Sequence, residues 1–237
     1  MRSGYREFRP PAEVERVVAC LWENRADSER VQPIVPDGCV DLIWDRGLVV
    51  AGADTGPREV GLSAGARVTG IRLRPGAAGA VLGLPASEIR DERVAAALLW
   101  DEEGASLEAA LAGAEPAQRP RLLADAVARR RAELDGLVHV AARRLSAPGG
   151  RVAGVARDLG VSERQLRRRT LAAVGYGPKL LARVARLRRL AALAEDSLAA
   201  RAYEAGYSSQ AHMSDEVRRL TGTTAVRFLE DGRLTAA

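Results

Sequence analysis

Short apolar runs alternate with strong turn signals through the first hundred residues of the chain. Pro-Asp-Gly (36–38), Asp-Arg-Gly (45–47) and Thr-Gly-Pro (55–57) separate runs that are rich in β-branched residues. Asp41 alternates with apolar neighbours, and so do Arg72 and Arg74; this period of two is typical of antiparallel strands with one solvated face. We therefore predict strands at residues 31–35, 39–44, 48–53 and 67–73, and either a strand or a short helix at 14–22.

The pattern becomes helical after residue 76. Residues 77–82, 86–90 and 107–111 are predicted as short helices, and residues 120–134 as a longer amphipathic one. Its apolar residues recur at helical spacing and are Leu122, Leu123, Ala126, Val127 and Leu134. Two roles for this helix are open: it packs against its own domain, or it forms the seam of a homodimer.

Charge divides the chain. Residues 1–134 carry 18 Arg against 21 acidic residues, whereas residues 135–237 carry 18 Arg and Lys against 10 acidic residues. Clustered positive charge is typical of a protein that binds nucleic acid, and together with the motifs described below it predicts double-stranded DNA as the partner. No apolar run approaches the roughly 20 residues needed to cross a bilayer, and two cysteines form no disulfide framework. We therefore expect a cytoplasmic, nucleoid-associated protein without a membrane partner.

The sequence contains few of the motifs that are typical of enzymes. It lacks the Gly-x-x-x-x-Gly-Lys, His-Glu-x-x-His and Gly-x-Ser-x-Gly motifs, and its only histidines are His139 and His212. Asp37, Asp41 and Asp45 could hold a cation or transfer protons, but turn and strand-surface roles are favoured. We predict no catalytic residue, no metal and no cofactor.

One short pattern occurs twice within residues 149–221. A small residue precedes a glycine by four positions, a serine follows the glycine, and an apolar residue lies four positions after the serine. The two copies are Ala156, Gly160, Ser162, Leu166 and Ala202, Gly206, Ser209, Met213. Alanine lets two helices cross closely, glycine adopts the turn conformation and serine caps the second helix. The pattern thus predicts two helix-turn-helix motifs.

The second helix of the first motif is strongly basic. Ser162 is its predicted cap, with Gln165 completing a capping box. Arg164, Arg167 and Arg168 lie on the face opposite the apolar residues. Arginine can donate two hydrogen bonds to guanine, so we predict that these three residues contact bases. Ser162 and Gln165 are predicted to contact phosphates.

Residues 180–194 predict a continuous helix with Pro178 in its first turn, and its roughly 17 residues would span about 25 Å between the motifs. Such a strut could place two recognition helices about 34 Å apart, one turn of DNA. In the second motif, a supporting helix at 198–205 leads to a helix capped by Ser208 or Ser209. Its predicted base contacts are Gln210, His212 and Asp215, and its predicted phosphate contacts are Ser209, Arg218 and Arg219. His212 could equally be a local hydrogen-bonding residue.

Residues 135–229 resemble the AraC/XylS family of bacterial transcription regulators. The residues that carry the resemblance are Leu159-Gly160-Val161-Ser162, Leu166-Arg167-Arg168, residues 202–210 with His212, and residues 220–224 with Phe228. The resemblance implies a sequence-specific DNA-binding domain of seven helices that usually activates transcription through contacts with RNA polymerase. Segments 36–43 and 74–78 look like an uncharacterised sensor-like domain, for which a small-molecule effector is expected.

The predicted fold class is a multidomain α+β chain. Residues 1–115 form a β-rich regulatory domain with short helices, residues 116–134 a connecting helix, and residues 135–237 an all-α DNA-binding domain. Two alternatives to a regulator are kept. One is a DNA-binding module fused to a cysteine-dependent repair enzyme, which would use Cys20 or Cys39. The other is a non-specific DNA-packaging protein, against which the acidic N-terminal half argues.

Overall fold

The computed structural model describes residues 4–130, 133–147, 149–194 and 197–230. Its N-terminal part is built on antiparallel strands. They are β1 (Gly4–Phe8), β2 (Val18–Arg25), β3 (Arg30–Ile34), β4 (Val40–Trp44), β5 (Leu48–Ala51), β6 (Arg58–Leu62), β7 (Arg67–Leu73) and β8 (Arg93–Ala95). Six strands form one sheet in the order β1-β2-β7-β4-β5-β8, and β3 pairs with β6 in a separate ribbon.

Both faces of the six-stranded sheet are covered. Leu42 and Ile71 are fully buried on one face, in the main hydrophobic cluster. On the other face, Trp22 and Val68 pack in a second cluster with Leu62 of the β3–β6 ribbon. The prediction of one solvated face is therefore wrong for β7, because the ribbon covers that face.

Arg72 lies buried on this covered face, where the alternating pattern had placed it in solvent. Its Nε lies 3.2 Å from Oδ1 of Asp41 and 3.4 Å from Oδ2 of Asp37. Burial alone would lower the pKa of Arg72, but Asp41 and Asp37 raise it above its ordinary value. Asp41 also accepts a hydrogen bond from Trp22, so its predicted strand-surface role is wrong, whereas Asp37 accepts from the amide of Cys39 and has the predicted turn role.

The helices of the N-terminal part lie against the first face of the sheet. They are α1 (Ala78–Leu82), a 3-10 helix (Ala86–Ile89), α2 (Ala97–Gly113), a second 3-10 helix (Pro116–Gln118) and α3 (Arg119–Arg129). Helix α3 buries Leu123, Ala126 and Val127 in the main cluster. The interpretation of residues 120–134 as a helix that packs on its own domain is thus confirmed, although the helix ends at Arg129; residues 131 and 132 lie outside the described part.

Seven helices follow in the described C-terminal part. They are α4 (Gly136–Ser146), α5 (Val152–Asp158), α6 (Glu163–Val174), α7 (Pro178–Ala192), α8 (Leu198–Ala205), α9 (Gln210–Thr221) and α10 (Ala225–Glu230). The predicted fold class is confirmed: a β-rich N-terminal part precedes an all-α part with two helix pairs joined by a long helix. In the described ranges, no helix is long and apolar enough to cross a membrane.

The division between the two larger hydrophobic clusters falls within α7, and not between the β-rich part and the all-α part of the chain. The main cluster runs from the sheet through α4, α5 and α6 to the first half of α7, and includes Leu166 and Val174. A separate cluster holds α8, α9 and α10 together with Leu187 and Leu190 of α7, and Val35 of the N-terminal part joins it. The first helix pair therefore shares a core with the sheet, whereas the second pair has its own.

Helix α6 approaches the N-terminal part very closely. A Cβ added to Gly79 of α1 would lie only 2.3 Å from the carbonyl oxygen of Ala172 in α6. At the end of α6, Tyr176 is fully buried, and a Cβ added to Gly38 would lie 3.0 Å from its hydroxyl. Two backbones thus meet without an intervening side chain, which fixes α6 on the N-terminal part.

Candidate DNA-binding surface

Helices α5 and α6 form the first predicted motif. Gly160 in the turn between them has φ of +65°, a conformation that favours glycine. Ser162 then caps α6: its Oγ accepts from the amide of Gln165 at 3.2 Å, and the Gln165 side chain accepts from the amide of Ser162 at 2.9 Å. The predicted capping box is confirmed. Both side chains remain exposed at the start of the helix.

Three arginines project from the first half of α6. Arg164, Arg167 and Arg168 are all exposed, and none forms an ion pair within the described residues. Leu166 and Thr170 are buried on the opposite side of the helix, as predicted. The arrangement leaves three unpaired guanidinium groups on one solvent-facing surface.

Arg169 differs from these neighbours because it has a carboxylate partner, which local sequence patterns do not indicate. Its Nε and Nη2 donate to the carboxylate of Asp135 at 2.6 and 2.7 Å. Asp135 also caps α4 by accepting from the amides of Leu137 and Val138. Burial would raise the pKa of Asp135, but the hydrogen bonds from Arg169 and Val138 outweigh it and lower the pKa below its ordinary value. This pair fixes α6 against α4.

Helices α8 and α9 form the second motif. Gly206 in its turn has φ of +90°. Of the two serines considered as caps, Ser209 is the one: its Oγ accepts from the amide of His212 at 3.1 Å. Met213, Val217 and Leu220 are buried, as predicted for the inner face.

The residues of α9 that are predicted to contact DNA differ in their exposure and in their local partners. Gln210, Asp215, Arg218 and Arg219 are exposed on α9. His212 is half-exposed, and protein groups face both of its ring nitrogens: Nδ1 lies 2.9 Å from Oγ of Ser208, and Nε2 lies 3.6 Å from a carboxylate oxygen of Glu216. In this structure His212 hydrogen-bonds locally to Ser208, which is one of the two roles considered for it.

Glu216 is a buried acid that the sequence reasoning missed. It is 6% exposed, and its carboxylate accepts from Nε of Arg183 at 3.1 Å and from Nη2 of Arg186 at 2.9 Å. These arginines lie on α7, so the ion pairs join the second recognition helix to the connecting helix. A sequence signal existed, since an acid three residues after Met213 falls on the apolar side of α9.

The connecting helix α7 is slightly displaced from its prediction. It has 15 residues from Pro178 to Ala192 and is therefore about 22 Å long, whereas the expected length of roughly 25 Å assumed some 17 residues. Leu181, Val184 and Leu187 are buried along it, and Pro178 is at its first turn. A single rigid helix thus joins the two motifs.

A cavity of about 870 Å³ lies between the sheet and the C-terminal helices. Its apolar lining includes Val35 and Phe228, and its basic lining includes Arg74, Arg143 and Arg188. Within the described ranges, none of these three arginines pairs with a carboxylate; Arg74 donates to the carbonyl of Glu15, and Arg188 to that of Asp37. The volume is typical of a small-molecule site.

Both cysteines line the same cavity. Burial raises the pKa of the Cys20 thiol to about 12 and also raises that of Cys39. A nucleophilic cysteine must be a thiolate, and burial disfavours the thiolate form of both residues. Among the described residues, no cluster of three His, Cys, Asp or Glu side chains suits a metal ion.

Comparisons with known proteins assign both parts of the chain. A family described as "Domain of unknown function (DUF6597)" matches residues 6–95, and one described as "Helix-turn-helix domain" matches residues 155–231. No curated protein matches the chain. Among solved structures, ToxT from Vibrio cholerae is 9% identical, with a TM-score of 0.44 and coverage of 99% of this chain and 100% of that one. The same protein with a bound unsaturated fatty acid is 10% identical, with a TM-score of 0.43 and coverage of 100% and 99%.

The matched helix-turn-helix segment contains both capped motifs and the helix between them. Two turns with left-handed glycines, each followed by a serine cap, lie within residues 155–231. Residues 155–231 are therefore a helix-turn-helix domain of the AraC type, as the resemblance implied, and the protein is a DNA-binding transcription regulator.

Proposed function

We propose that this regulator reads a specific DNA site with two recognition helices that enter successive major grooves. Helix α6 supplies base contacts through Arg164, Arg167 and Arg168, with Ser162 and Gln165 on phosphates. Helix α9 supplies Gln210, His212 and Asp215 to bases, and Ser209, Arg218 and Arg219 to phosphates. His212 would have to exchange its local partners to reach a base.

The exposed arginines of α6 carry this proposal. Within the described residues, three exposed guanidinium groups on the first half of a capped helix have no carboxylate partner and are free to make bidentate contacts with guanine. Arg169, which does have a carboxylate partner, lies on the other side of the same helix. The split between paired and unpaired arginines favours a binding role for the unpaired ones.

We predict that Arg167→Ala and Arg168→Ala each weaken binding to a cognate site by about 5- to 150-fold, or about 1–3 kcal/mol. Each substitution removes up to two hydrogen bonds to a base. A cognate duplex is first selected by the wild-type protein from a random pool, and affinity is then measured by fluorescence anisotropy at fixed salt.

The matched control is Arg46→Ala, which removes the same charge from an exposed hairpin turn in the N-terminal part. It is expected to leave the affinity nearly unchanged. An equal loss for Arg167→Ala on the cognate duplex and on random duplexes would show that Arg167 touches only phosphate, which would contradict its proposed base contact.

The division of labour along the chain is part of the proposal. Residues 1–115 act as the regulatory domain, residues 116–134 as the connection, and residues 135–237 as the DNA-binding domain. The output is a change in transcription through contact with RNA polymerase in the cytoplasm, and a homodimer is the proposed assembly on longer sites. The family resemblance of residues 135–229 supports the DNA-binding domain and the contact with RNA polymerase.

We further propose that a small anionic molecule controls the protein from the cavity beside α7. Within the described residues, three basic side chains without acidic partners line a partly apolar space of suitable volume, and its two acidic residues, Glu7 and Asp37, both pair with Arg72. The lining comes from both the sheet and α7, so a bound molecule would contact both parts of the chain. An anion would gain charge-assisted hydrogen bonds there that a cation would not.

Short-chain carboxylates are therefore expected to raise the melting temperature of the wild-type protein, whereas the matching amines are not. At a hundredfold excess over Kd the rise is about 5–10 °C. Ala185→Trp, which fills part of the cavity from α7, should remove the response. A response to carboxylates that survives Ala185→Trp would place their binding elsewhere.

A further inference from the structure

The loop between β5 and β6, residues 52–57, is held in place by polar contacts. The carboxylate of Asp54 is buried and pairs with Nη2 of Arg93 at 2.8 Å and with Nε of Arg58 at 3.2 Å. The amide of Thr55 donates to Oδ1 of Asp91 at 2.7 Å, and its hydroxyl to both oxygens of the same carboxylate. A loop tied at consecutive residues to fixed partners behaves as a rigid element.

Both recognition helices end against this one loop. A Cβ added to Gly175, the cap at the end of α6, would lie 3.2 Å from the carbonyl oxygen of Ala86 in the first 3-10 helix and 3.3 Å from Cβ of Ala53 in the loop. A Cβ added to Gly222, the cap at the end of α9, would lie 3.3 Å from Cγ of Pro57. The two glycines allow the helix ends to approach the loop directly.

The loop touches the C-terminal ends of α6 and α9, whereas the proposed base contacts lie in the N-terminal halves of the two helices. The proposed base contacts fall at residues 164–168 of α6 and at residues 210–215 of α9. Four residues of chain span at most about 14 Å, so Ala53 and Pro57 hold the two helix ends at neighbouring points. The exposed halves extend away from the loop.

The loop is thus a second connection between the motifs, besides α7. Helix α7 holds the second motif through Leu187, Leu190 and the ion pairs of Glu216, whereas the loop adds a contact between the end of α9 and the N-terminal part. Among the described residues, the hydrophobic cluster of the second motif takes Val35 alone from the N-terminal part, so the contact at Pro57 adds to a small set that orients this motif on the sheet. A fixed orientation matters because two modules bind DNA together only when their separation matches that of their sites.

We propose that the β5–β6 loop sets the separation of the two recognition helices and thereby determines the spacing between the two halves of the DNA site. This inference rests on the proposed reading of two grooves by the two motifs. It assigns Ala53 and Pro57 of the N-terminal part a positioning role in DNA recognition, although they need not touch DNA.

The test inserts Gly-Gly between Thr55 and Gly56 in the full chain. The insertion leaves the contacts of Thr55 in place but releases Pro57 from its fixed distance to Ala53. Duplexes are selected from a random pool by the wild-type and variant proteins, and affinities are measured for the wild-type site and for versions with one base pair added or removed between its halves. We expect the wild type to prefer one spacing, and the variant to bind that site about tenfold more weakly and to accept all three spacings nearly equally.

Two further proteins sharpen the result. Pro57→Gly removes only the ring that faces Gly222 and should give a smaller loss in the same direction, even if the insertion impairs folding. The same Gly-Gly insertion after Arg46, in a hairpin turn beside α2, should change neither affinity nor spacing. If the wild type enriches a paired site but insertion at Thr55 and Pro57→Gly leave its spacing preference intact, only this inference is wrong. If the wild type enriches no sequence, the proposed function fails as well.

Discussion

Gly79→Ala is expected to destabilise the protein by about 1–3 kcal/mol, and Gly79→Val by more, although either change improves the intrinsic helix propensity or adds apolar surface. The added Cβ would lie 2.3 Å from the carbonyl oxygen and 3.2 Å from the carbonyl carbon of Ala172. Both are backbone atoms of α6, so no rotamer change relieves the overlap, and α1 must move away from α6. At 237 residues the loss corresponds to a fall in melting temperature of about 2–12 °C.

Gly154→Ala is the matched control for this prediction. Gly154 lies inside α5, and a Cβ there would meet nothing within 4 Å. Its replacement should stabilise the protein by up to about 1 kcal/mol through helix propensity. Thermal and denaturant unfolding of the two variants give the comparison. A Gly79→Ala protein as stable as the Gly154→Ala protein would show that α6 does not rest on α1 in solution.

The contact between α1 and α6 makes the first helix-turn-helix motif part of the same packed unit as the N-terminal sheet. Because the first motif shares its hydrophobic cluster with the sheet, a change in the N-terminal part reaches α6 through packed backbone. The second motif, in its own cluster, is reached through α7, through Val35 and through the contact of Pro57 with Gly222. The two recognition helices are therefore coupled to the N-terminal part by different means.

The features that the sequence predicted well are local ones. The turn glycines Gly160 and Gly206, the cap Ser162 and the helix at 198–205 depend on neighbours within a few positions, and the structure has all of them as expected. The buried faces of α6 and α9 follow from helical spacing alone. Such features are decided before tertiary contacts form.

The features that were missed depend on distant partners. Strand β1 was not predicted because its five residues form a strand through pairing with β2. Strand β8 was not predicted because it has only three residues, which pair with β5. Arg72 alternates like a solvent-facing residue, yet its partner Asp41 lies 31 positions away. Period and propensity describe one segment at a time, so they cannot indicate which second layer covers a strand.

Glu216→Leu is expected to destabilise the second motif by about 2–4 kcal/mol. Glu216 is the common partner of Arg183 and Arg186, whose side chains are only 25% and 22% exposed. Removing the carboxylate leaves two largely buried cations close together, which costs more than the ion pairs themselves contribute. Unfolding by denaturant measures the loss, and selection from a random pool should then return sites in which only the half read by α6 is specified.

Two comparisons decide whether Glu216→Leu destabilises the protein by leaving charges unpaired or only by loss of packing. Glu204→Leu makes the same change at an exposed position of α8 and should alter stability by less than about 0.5 kcal/mol. Combining Glu216→Leu with Arg183→Met and Arg186→Met removes the cations too, and should recover most of the stability, because an apolar cluster of similar volume replaces a buried ion pair at little cost. If the triple variant is as unstable as Glu216→Leu alone, the shape of the glutamate side chain, and not its charge, holds α9 on α7.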